Sequence, residues 1–508
     1  MQYLAATGKI GVRRGPPRHS CKVEAVKPLR IADRRRRAGL LARAWLPGSF
    51  DHVAIAAVLL LIFAAAALPS AQSDTWWQLR TGQLIVQTGS IPTTDPFSST
   101  VRGGPWPNHE WLAEVLFYLA YALGGLPALF ALCAGLIVLA WGGLALVCEG
   151  PGRVRAAALL LGATSQAALW SARPHLFSLA LLAAALGLVP RRRLHWLYPA
   201  LFLLWANLHA GVAFGGALLA AATLVAFARD WRDWRGWRRS DGARWALIVL
   251  ASGLATLANP LGIGLWRYVL ASFGDTTRAY LTEWQPPSLG WPASYPFFML
   301  LGMCVAAVVV ARASWRGQRD WTLLAVALVF GLLGLRSIRH TAFLPLVAAP
   351  LLTRPLRDWP ALAARGGRRG LAHLALLLVL AAGAGLAVVR AWASTPPVPL
   401  GPAIVAAVRG CDGVLYNTYD AGGLLIWAVP ERPVFVDNRQ DPYPADLLFR
   451  AVLAEQRGEY QALFGEYGVR CALVPAGQPL YVALRRDGWA ELGRDAQLAV
   501  LEKKPDSR

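Results

Sequence analysis

Long apolar runs rich in Leu, Ala and Val alternate along the chain with short clusters of arginine. A helix rises 1.5 Å per residue, so about 20 apolar residues cover the roughly 30 Å of hydrocarbon in a bilayer. The pattern therefore predicts eleven membrane spans, near residues 53–69, 125–148, 156–171, 175–189, 196–208, 210–228, 245–260, 294–312, 321–335, 339–352 and 371–393, several of them short for a bilayer. With the N-terminus inside, the loops holding Arg153 and Arg155, Arg191 to Arg193, Arg229 to Arg244, Arg312 to Arg319 and Arg354 to Arg369 all fall in the cytoplasm. Each then satisfies the excess of basic residues that orients membrane proteins. The odd number of crossings places residues 394–508 outside. Residues 112–123 add a candidate embedded or interfacial helix.

Composition agrees with lipid as the main solvent. A 508-residue chain that is 56% hydrophobic and only 16% charged carries more apolar surface than one water-soluble core can bury. The net charge of +22 (51 basic minus 29 acidic residues) would suit nucleic acid, but its arginines lie between the apolar runs and report topology instead. Twelve Lys and Arg occupy residues 9–43, including Arg34 to Arg37. Residues 1–50 thus read as a basic cytoplasmic tail ahead of a signal anchor, in the multi-pass pattern of a bacterial inner-membrane protein. Six cysteines without a Cys-x-x-Cys pair indicate neither a zinc site nor a disulfide scaffold.

This topology gathers polar residues on the outer side: Asp74, Asp95, His109, Glu110, Arg173, His175, Asn207, His209, Asn259, Glu283, Arg336, Arg339 and His340. Ionisable groups at the edge of hydrocarbon are costly unless they pair, face a cavity or serve a site, and their recurrence on separate short turns points to one shared cavity. Each, taken singly, is also explained as a helix cap or a headgroup contact.

The outer loop 70–124 is long enough to require a reason. It opens with Ser-Asp-Thr-Trp-Trp-Gln-Leu-Arg-Thr-Gly (73–82), where Trp77, Leu84 and Ile85 share a helical face suited to the membrane interface. A Pro- and Gly-punctuated turn, 89–97, leads to Trp-Pro-Asn-His-Glu-Trp-Leu-Ala-Glu (106–114). Aromatic residues interleaved with Asp, His, Glu and Asn suit a polar headgroup such as a sugar phosphate, or interface anchoring.

These residues carry a resemblance. An acid soon after the first span, Asp74, resembles the GT-C class of polyprenyl-phosphate-sugar-dependent membrane glycosyltransferases, mannosyl- and aminoarabinosyl-transferases among them. The elements Asp-Thr-Trp-Trp, Ile-Pro-Thr-Thr-Asp-Pro-Phe, Asn-His-Glu-Trp-Leu, Arg-Pro-His-Leu-Phe, Trp-Ala-Asn-Leu-His, Asn-Pro-Leu-Gly, Thr-Glu-Trp-Gln-Pro-Pro and Arg-Ser-Ile-Arg-His look like a bacterial family described only as glycosyltransferase-like, over nearly the whole chain after residue 50. Many GT-C loops hold paired acids, whereas Thr75 and Trp76 follow Asp74 here. The resemblance implies transfer of a sugar from a polyprenyl-phosphate donor in the membrane to an envelope glycan, lipid or protein. Asp74 is then the candidate base, Glu110 the competing one, and His109 a neighbour in the same role. Arg173, Arg336 and Arg339 would meet phosphate. His175, Asn207, His209, Glu283 and His340 would line the substrate site. Histidines with Asp74 and Glu110 could bind a divalent metal, although no His-x-x-x-His or Asp-x-Asp spacing is present in these loops. Asp74 or Ser73 equally suits a helix cap. If the turn after Arg336 continues the helix, Arg336 and Arg339 share one side.

Gly and Pro around 395–402 mark a linker, after which short β-rich runs at 413–416, 433–436 and 469–474 alternate with helical stretches. Residues 394–508 thus predict a small α/β layer, with Asn417, Asp437 and Arg439 at strand ends as ligand or turn residues. An oxidising compartment would permit a Cys411–Cys471 disulfide, though no spacing rule requires one. Two other readings remain: a lipid-linked glycan transporter or flippase, and a non-catalytic envelope-assembly protein.

Overall fold

The computed structural model describes residues 50–230, 240–274, 282–310, 318–356, 370–396 and 399–504. The basic tail before residue 50 and the arginines of 231–239, 311–317 and 357–369 lie outside the described residues. Helices run α1 Phe50–Ala66, α2 Ser73–Thr88, α3 Trp111–Ala145, α4 Gly152–Gln166, α5 His175–Leu188, α6 Tyr198–Leu208, α7 Val212–Asp230, α8 Asp241–Ala255, α9 Gly264–Gly274, α10 Tyr295–Val310, α11 Gln318–Arg336, α12 Leu344–Thr353 and α13 Gly370–Ala393. Every span expected from the sequence overlaps one of them. Among the described residues, four stretches are long and apolar enough to cross a membrane: Trp111–Ala145, Val212–Asp230, Pro292–Val310 and Gly370–Ala393. Helix α3 breaks at Gly124 and Gly125, so the short helix expected at 112–123 is its N-terminal arm.

At one end of the bundle Arg319 and Arg354 share acidic partners. Glu149 pairs with Arg319 and Arg354, and Arg354 also pairs with Asp320. Asp51 accepts the backbone N–H of Arg153.

At the other end, α2 is helical as its Trp and Leu spacing predicts, and most of its apolar side chains turn into the protein, with Leu84 half-buried and Val86 exposed. Trp76, Trp77, Leu79 and Ile85 are all buried, because α2 is wedged between α3 and a helix of the C-terminal layer. Gly82 permits the first contact: a Cβ there would lie 2.1 Å from the Glu114 carbonyl oxygen. Gly423 permits the second, since its Cβ would lie 2.1 Å from the Ser73 carbonyl oxygen. Any side chain at either position would force the layers apart.

The C-terminal layer comprises α14 Pro402–Arg409, β1 Val414–Asn417, α15 Tyr419–Ala428, α16 Ala445–Arg457, α17 Gln461–Tyr467, β2 Val469–Pro475, α18 Pro479–Arg486, β3 Ala490–Arg494 and β4 Leu498–Glu502. The sheet order is β1-β2-β4-β3, with β1 parallel to β2 and the other pairs antiparallel. Alternation along the strands feeds two cores. Ala472, Val474, Ala499 and Leu501 pack with Tyr416, Phe435 and Phe464. Cys471, Leu473 and Val500 pack on the opposite face with Ile404, Leu425 and the outer-loop residues Trp77 and Trp106. Cys411 and Cys471 form a disulfide.

The strand expected at 433–436 does not join this sheet. Its backbone pairs with the outer loop instead: Val434 N–H donates to the Phe97 carbonyl at 3.0 Å and Ser99 N–H to the Val434 carbonyl at 2.7 Å. The Thr100 hydroxyl donates to the Phe435 carbonyl at 2.7 Å. Beside this splice, Arg439 is fully buried between Asp437 and Asp95, at 2.7 and 2.6 Å, with Phe97 and Trp106 over its guanidinium. Asp437 and Arg439 thus join the outer loop to the C-terminal layer. Asn417 likewise serves the backbone, donating to the Val436 carbonyl and accepting the Phe435 N–H.

Candidate functional site

The entry of α2 sets the position of Asp74. The helix is capped at Gln72, whose N–H donates to the Thr75 hydroxyl at 3.0 Å. Neither Ser73 nor Asp74 is the cap, and the Asp74 carboxylate is left to face its neighbours. The Thr75 hydroxyl in turn donates to the Ala172 carbonyl, and Ala172 N–H donates to the Ser70 carbonyl. These two bonds clip the turn before α5 to the start of α2 and hold Arg173 against Asp74 at 2.5 Å.

A second clip brings in Glu283. The Ser337 hydroxyl donates to the Glu283 carbonyl at 3.1 Å, and Ile338 N–H to the Gln285 carbonyl at 2.9 Å. Glu283 then bridges two arginines, with Arg173 at 3.0 Å and Arg339 at 2.9 Å. Arg339 also lies over the Trp284 ring, 5.1 Å from its centroid. Asp74, Arg173, Glu283 and Arg339 therefore form a continuous ion chain drawn from four separate parts of the sequence.

Arg336 does not line the cavities described below. Ser337 adopts extended backbone (φ −154°, ψ 135°), which ends α11 and starts a separate 3-10 turn over Ile338–Ala342. Arg336 and Arg339 consequently do not share a helical side, and Arg336 is exposed at the end of α11. Asn207 is also outside the cavities described below: it accepts from the Trp111 indole and donates to the carbonyls of Leu203 and Ala258, tying α6 to its neighbours.

Glu110 occupies a different environment. Both His109 Nε2 and His209 Nε2 approach Glu110 Oε1 at 3.4 Å, and Gln78 donates to Oε2 at 3.4 Å. The tautomer of His209 follows from its other nitrogen. Gly211 N–H donates to Nδ1 at 2.9 Å, and the Ser178 hydroxyl, itself receiving the Trp205 indole N–H, lies 2.8 Å from Nδ1. Nδ1 is thus the acceptor, and the ring proton is on Nε2, facing Glu110. His175 Nε2 meets the Leu169 carbonyl at 2.8 Å.

Electrostatics separate the two candidate bases. Burial pushes Asp74 up to about 6, because the nearby Arg173 is offset in part by the negative charge of Glu283. Burial would also raise Glu110, but the hydrogen bond and charge of His109, with the Arg339 guanidinium, outweigh it and hold Glu110 at about 2. Burial opposes a charge on His109, yet Glu110 raises it from the ordinary histidine value. Burial lowers His209 to about 3 and keeps it neutral. Glu283 is held at about 2 as Arg339 and Arg173 overcome its burial.

Two large cavities meet at the ion chain. One, of about 600 Å³, is walled mainly by apolar residues of the bundle, among them Phe214, Trp266, Val329, Leu333 and Phe343. Its polar end carries Arg173, His175, His209, Glu283, Arg339 and His340. The other, of about 590 Å³, lies between the start of α2 and the C-terminal layer and is lined by Asp74, Arg173, Glu283, Tyr419, Asp420, Asn438, Gln440 and Glu455. Arg173 and Glu283 line both. A smaller polar chamber joins Asp74, His109, Glu110 and Arg339 to Tyr268 and Arg439. Among the described residues, no group of three His, Cys, Asp or Glu is arranged to hold a metal ion.

Sequence reasoning passed over Tyr268, whose ring packs on His109 with centroids 4.4 Å apart, and Trp284. Trp284 lies inside the Thr-Glu-Trp-Gln-Pro-Pro element and Tyr268 shortly after Asn-Pro-Leu-Gly, so the motifs themselves were the available signal. Tyr419 and Glu455 had none, being brought in by the docking of the C-terminal layer.

A helical bundle whose loop 70–124 carries a helix pressed beneath a C-terminal α/β layer fits the GT-C-like fold that the sequence motifs suggest. Among solved structures, the chain is similar to the archaeal oligosaccharyltransferase AglB from Archaeoglobus fulgidus, in complex with an inhibitory peptide and a dolichol-phosphate. That match has a TM-score of 0.55 at 13% identity and covers 82% of this chain and 69% of that one. A looser match is ArnT from Cupriavidus metallidurans, with a TM-score of 0.48 at 15% identity over 92% of this chain and 98% of that one. At these identities the likeness establishes the fold. No family model and no curated protein matches the sequence.

Proposed function

We propose that this protein is a membrane glycosyltransferase that moves a sugar from a polyprenyl-phosphate donor to an envelope acceptor on the outer face of a bacterial inner membrane. The observation that carries the reading is the meeting of an apolar-walled cavity and a polar cavity at Arg173 and Glu283, with Asp74 on the polar side. A lipid-linked sugar needs an apolar path for its chain and cations at its phosphate, while a hydrophilic acceptor needs a wet path to the same carbon.

Asp74 is the general base. With a pKa raised to about 6 it is mostly ionised at neutral pH yet basic enough to accept a hydroxyl proton. Glu110 is the poorer base, being held at about 2 by the donors around it. In the transfer, the acceptor oxygen forms a bond to the anomeric carbon as the bond from that carbon to the phosphate oxygen breaks. The hydroxyl proton passes to Asp74, and the electron pair leaves with the polyprenyl phosphate. Neutralisation of Asp74 weakens its hold on Arg173, which lines the donor cavity as well and, still anchored by Glu283, has charge to offer the leaving phosphate. Arg339 supplies the second cation. His209, fixed as the Nε2–H tautomer, keeps Glu110 in place at the edge of the site.

We further infer eleven crossings, an inside N-terminus and an outer C-terminal domain over residues 394–508. The Cys411–Cys471 disulfide favours an oxidising compartment for that layer, and the Glu149, Arg319 and Arg354 cluster lies at the opposite end of the bundle from Asp74.

The test is genetic and chemical. In a strain lacking this protein, one polyprenyl-linked sugar accumulates; wild type restores its consumption and Asp74→Asn, present at equal abundance, does not. Full restoration by Asp74→Asn would leave an assembly protein. Movement of a lipid-linked glycan with no new glycosidic bond would leave a transporter.

A further inference from the structure

Resting on the glycosyl-transfer reading, we propose that the polar cavity beneath the C-terminal layer is the acceptor site and that its wall selects an amine-bearing or neutral saccharide over an anionic one. Its volume of about 590 Å³ falls in the range of ligand pockets, roughly 300–1,000 Å³. Asp74 at its floor puts the proton acceptor within the same space.

The charge of the wall determines the class of guest. At the floor, Asp74 and Glu283 are matched by Arg173 and Arg339. The outer wall has no such match: Asp420 and Glu455 form no ion pair among the described residues. Asp420 accepts from the Asn438 amide at 3.0 Å, and Glu455 from the Tyr419 N–H at 2.8 Å. Both acidic groups therefore line that wall with no cation paired to them among the described residues. Burial, with Asp420 beside it, raises Glu455 to about 7, the condition of a carboxyl that a cationic guest would stabilise. An acceptor bearing phosphate or carboxylate would instead meet like charge.

The cavity also has features of a site with unmet partners. Ser73 Oγ and Asn438 Oδ1, from residues that line it, are enclosed without a hydrogen-bond partner in the protein. Gln440, another lining residue, has φ of +61°, a left-handed conformation uncommon for a residue with a side chain. Hydroxyls of a sugar would satisfy such oxygens.

The experiment uses the full chain in lipid nanodiscs at low ionic strength. Binding is measured for a glucosamine tetramer, maltotetraose and a galacturonate tetramer, and separately for undecaprenyl phosphate. We expect the glucosamine tetramer to bind at least about tenfold tighter than the galacturonate tetramer, with maltotetraose between them. Asp420→Asn and Glu455→Gln, each melting as wild type does, should reduce that ratio. Equal or reversed affinities, no saccharide binding, or a ratio unchanged in both folded variants would overturn the inference while undecaprenyl phosphate still binds the wild type. Failure of undecaprenyl phosphate to bind would instead sink the donor reading beneath it.

Discussion

Replacing Asp74 by Asn should abolish turnover and, above pH 6, make the protein more stable. Asp74 is 7% exposed, and burial raises its pKa from 3.8 to about 6 in the folded protein. The folded state therefore holds the proton more tightly than the unfolded chain does. Stability from this group is complete below pH 3.8, falls as pH rises between 3.8 and 6, and is lost once the folded carboxyl has ionised. The shift of roughly two pK units, at 1.36 kcal/mol each, amounts to about 3 kcal/mol of destabilisation at pH 7 to 8. Asn cannot ionise and keeps one oxygen, which serves Arg173 while the long 3.4 Å contact of the Trp77 indole is given up, so the variant escapes most of that loss. Thermal melting of both proteins in the same detergent from pH 4 to pH 8 should show curves that coincide near pH 4 and diverge to a plateau above pH 6. In parallel, kcat/KM of the wild type should fall about tenfold per pH unit below 6, as protonation removes the base. An Asn variant that melts lower than wild type at pH 8, or a flat kcat/KM between pH 5 and 8, would refute the placement of a destabilised base at this position.

Arg339→Met should weaken undecaprenyl-phosphate binding at least about tenfold, while Arg336→Met changes it less than about twofold, since only Arg339 lines the donor cavity; equal losses would reject the clamp. Asp95→Ala should cost about 3 kcal/mol by removing a partner from fully buried Arg439, and limited proteolysis should then cut within 89–105 before the bundle melts; an unchanged digest and melting curve would show the splice to be dispensable. Thiol labelling of the denatured protein should find two more reactive cysteines after reduction than before, and Cys411→Ser with Cys471→Ser should destabilise the layer by about 4 kcal/mol for a 60-residue separation. Equal labelling with and without reductant would exclude the disulfide.

Much of the helical framework was legible along the chain because its cause is local. An apolar run long enough for a bilayer must be helical to satisfy its own backbone, whatever surrounds it. The same logic singled out members of the ion chain and its neighbour Glu110: Asp74, Glu110, Arg173, Glu283 and Arg339 stand at the edges of apolar segments, where a charge is costly without a partner. Sequence also indicated the small α/β layer after the Gly- and Pro-rich break at 395–402, since a change of hydrophobic period is a property of each segment alone.

Tertiary structure decided which of these polar residues meet. Arg336 and Arg339 are three positions apart, yet the extended backbone of Ser337 sends them apart, a choice made by the hydrogen bonds of 337 and 338 to the distant 283–285 turn. Asn207 has the composition of a site residue but is occupied with holding α6 to Trp111 and Ala258. Asp95 and Arg439, more than 340 positions apart, form one buried pair, and the 433–436 segment gives its backbone to the outer loop rather than to the nearby sheet. Tyr419, Asp420 and Glu455 face Asp74 only because Gly423 allows α15 to rest on the first turn of α2. Hydropathy and helical period act over a few residues and can be read from sequence. Partner choice depends on which surfaces the folded chain brings within a few ångströms, and that follows from packing as a whole.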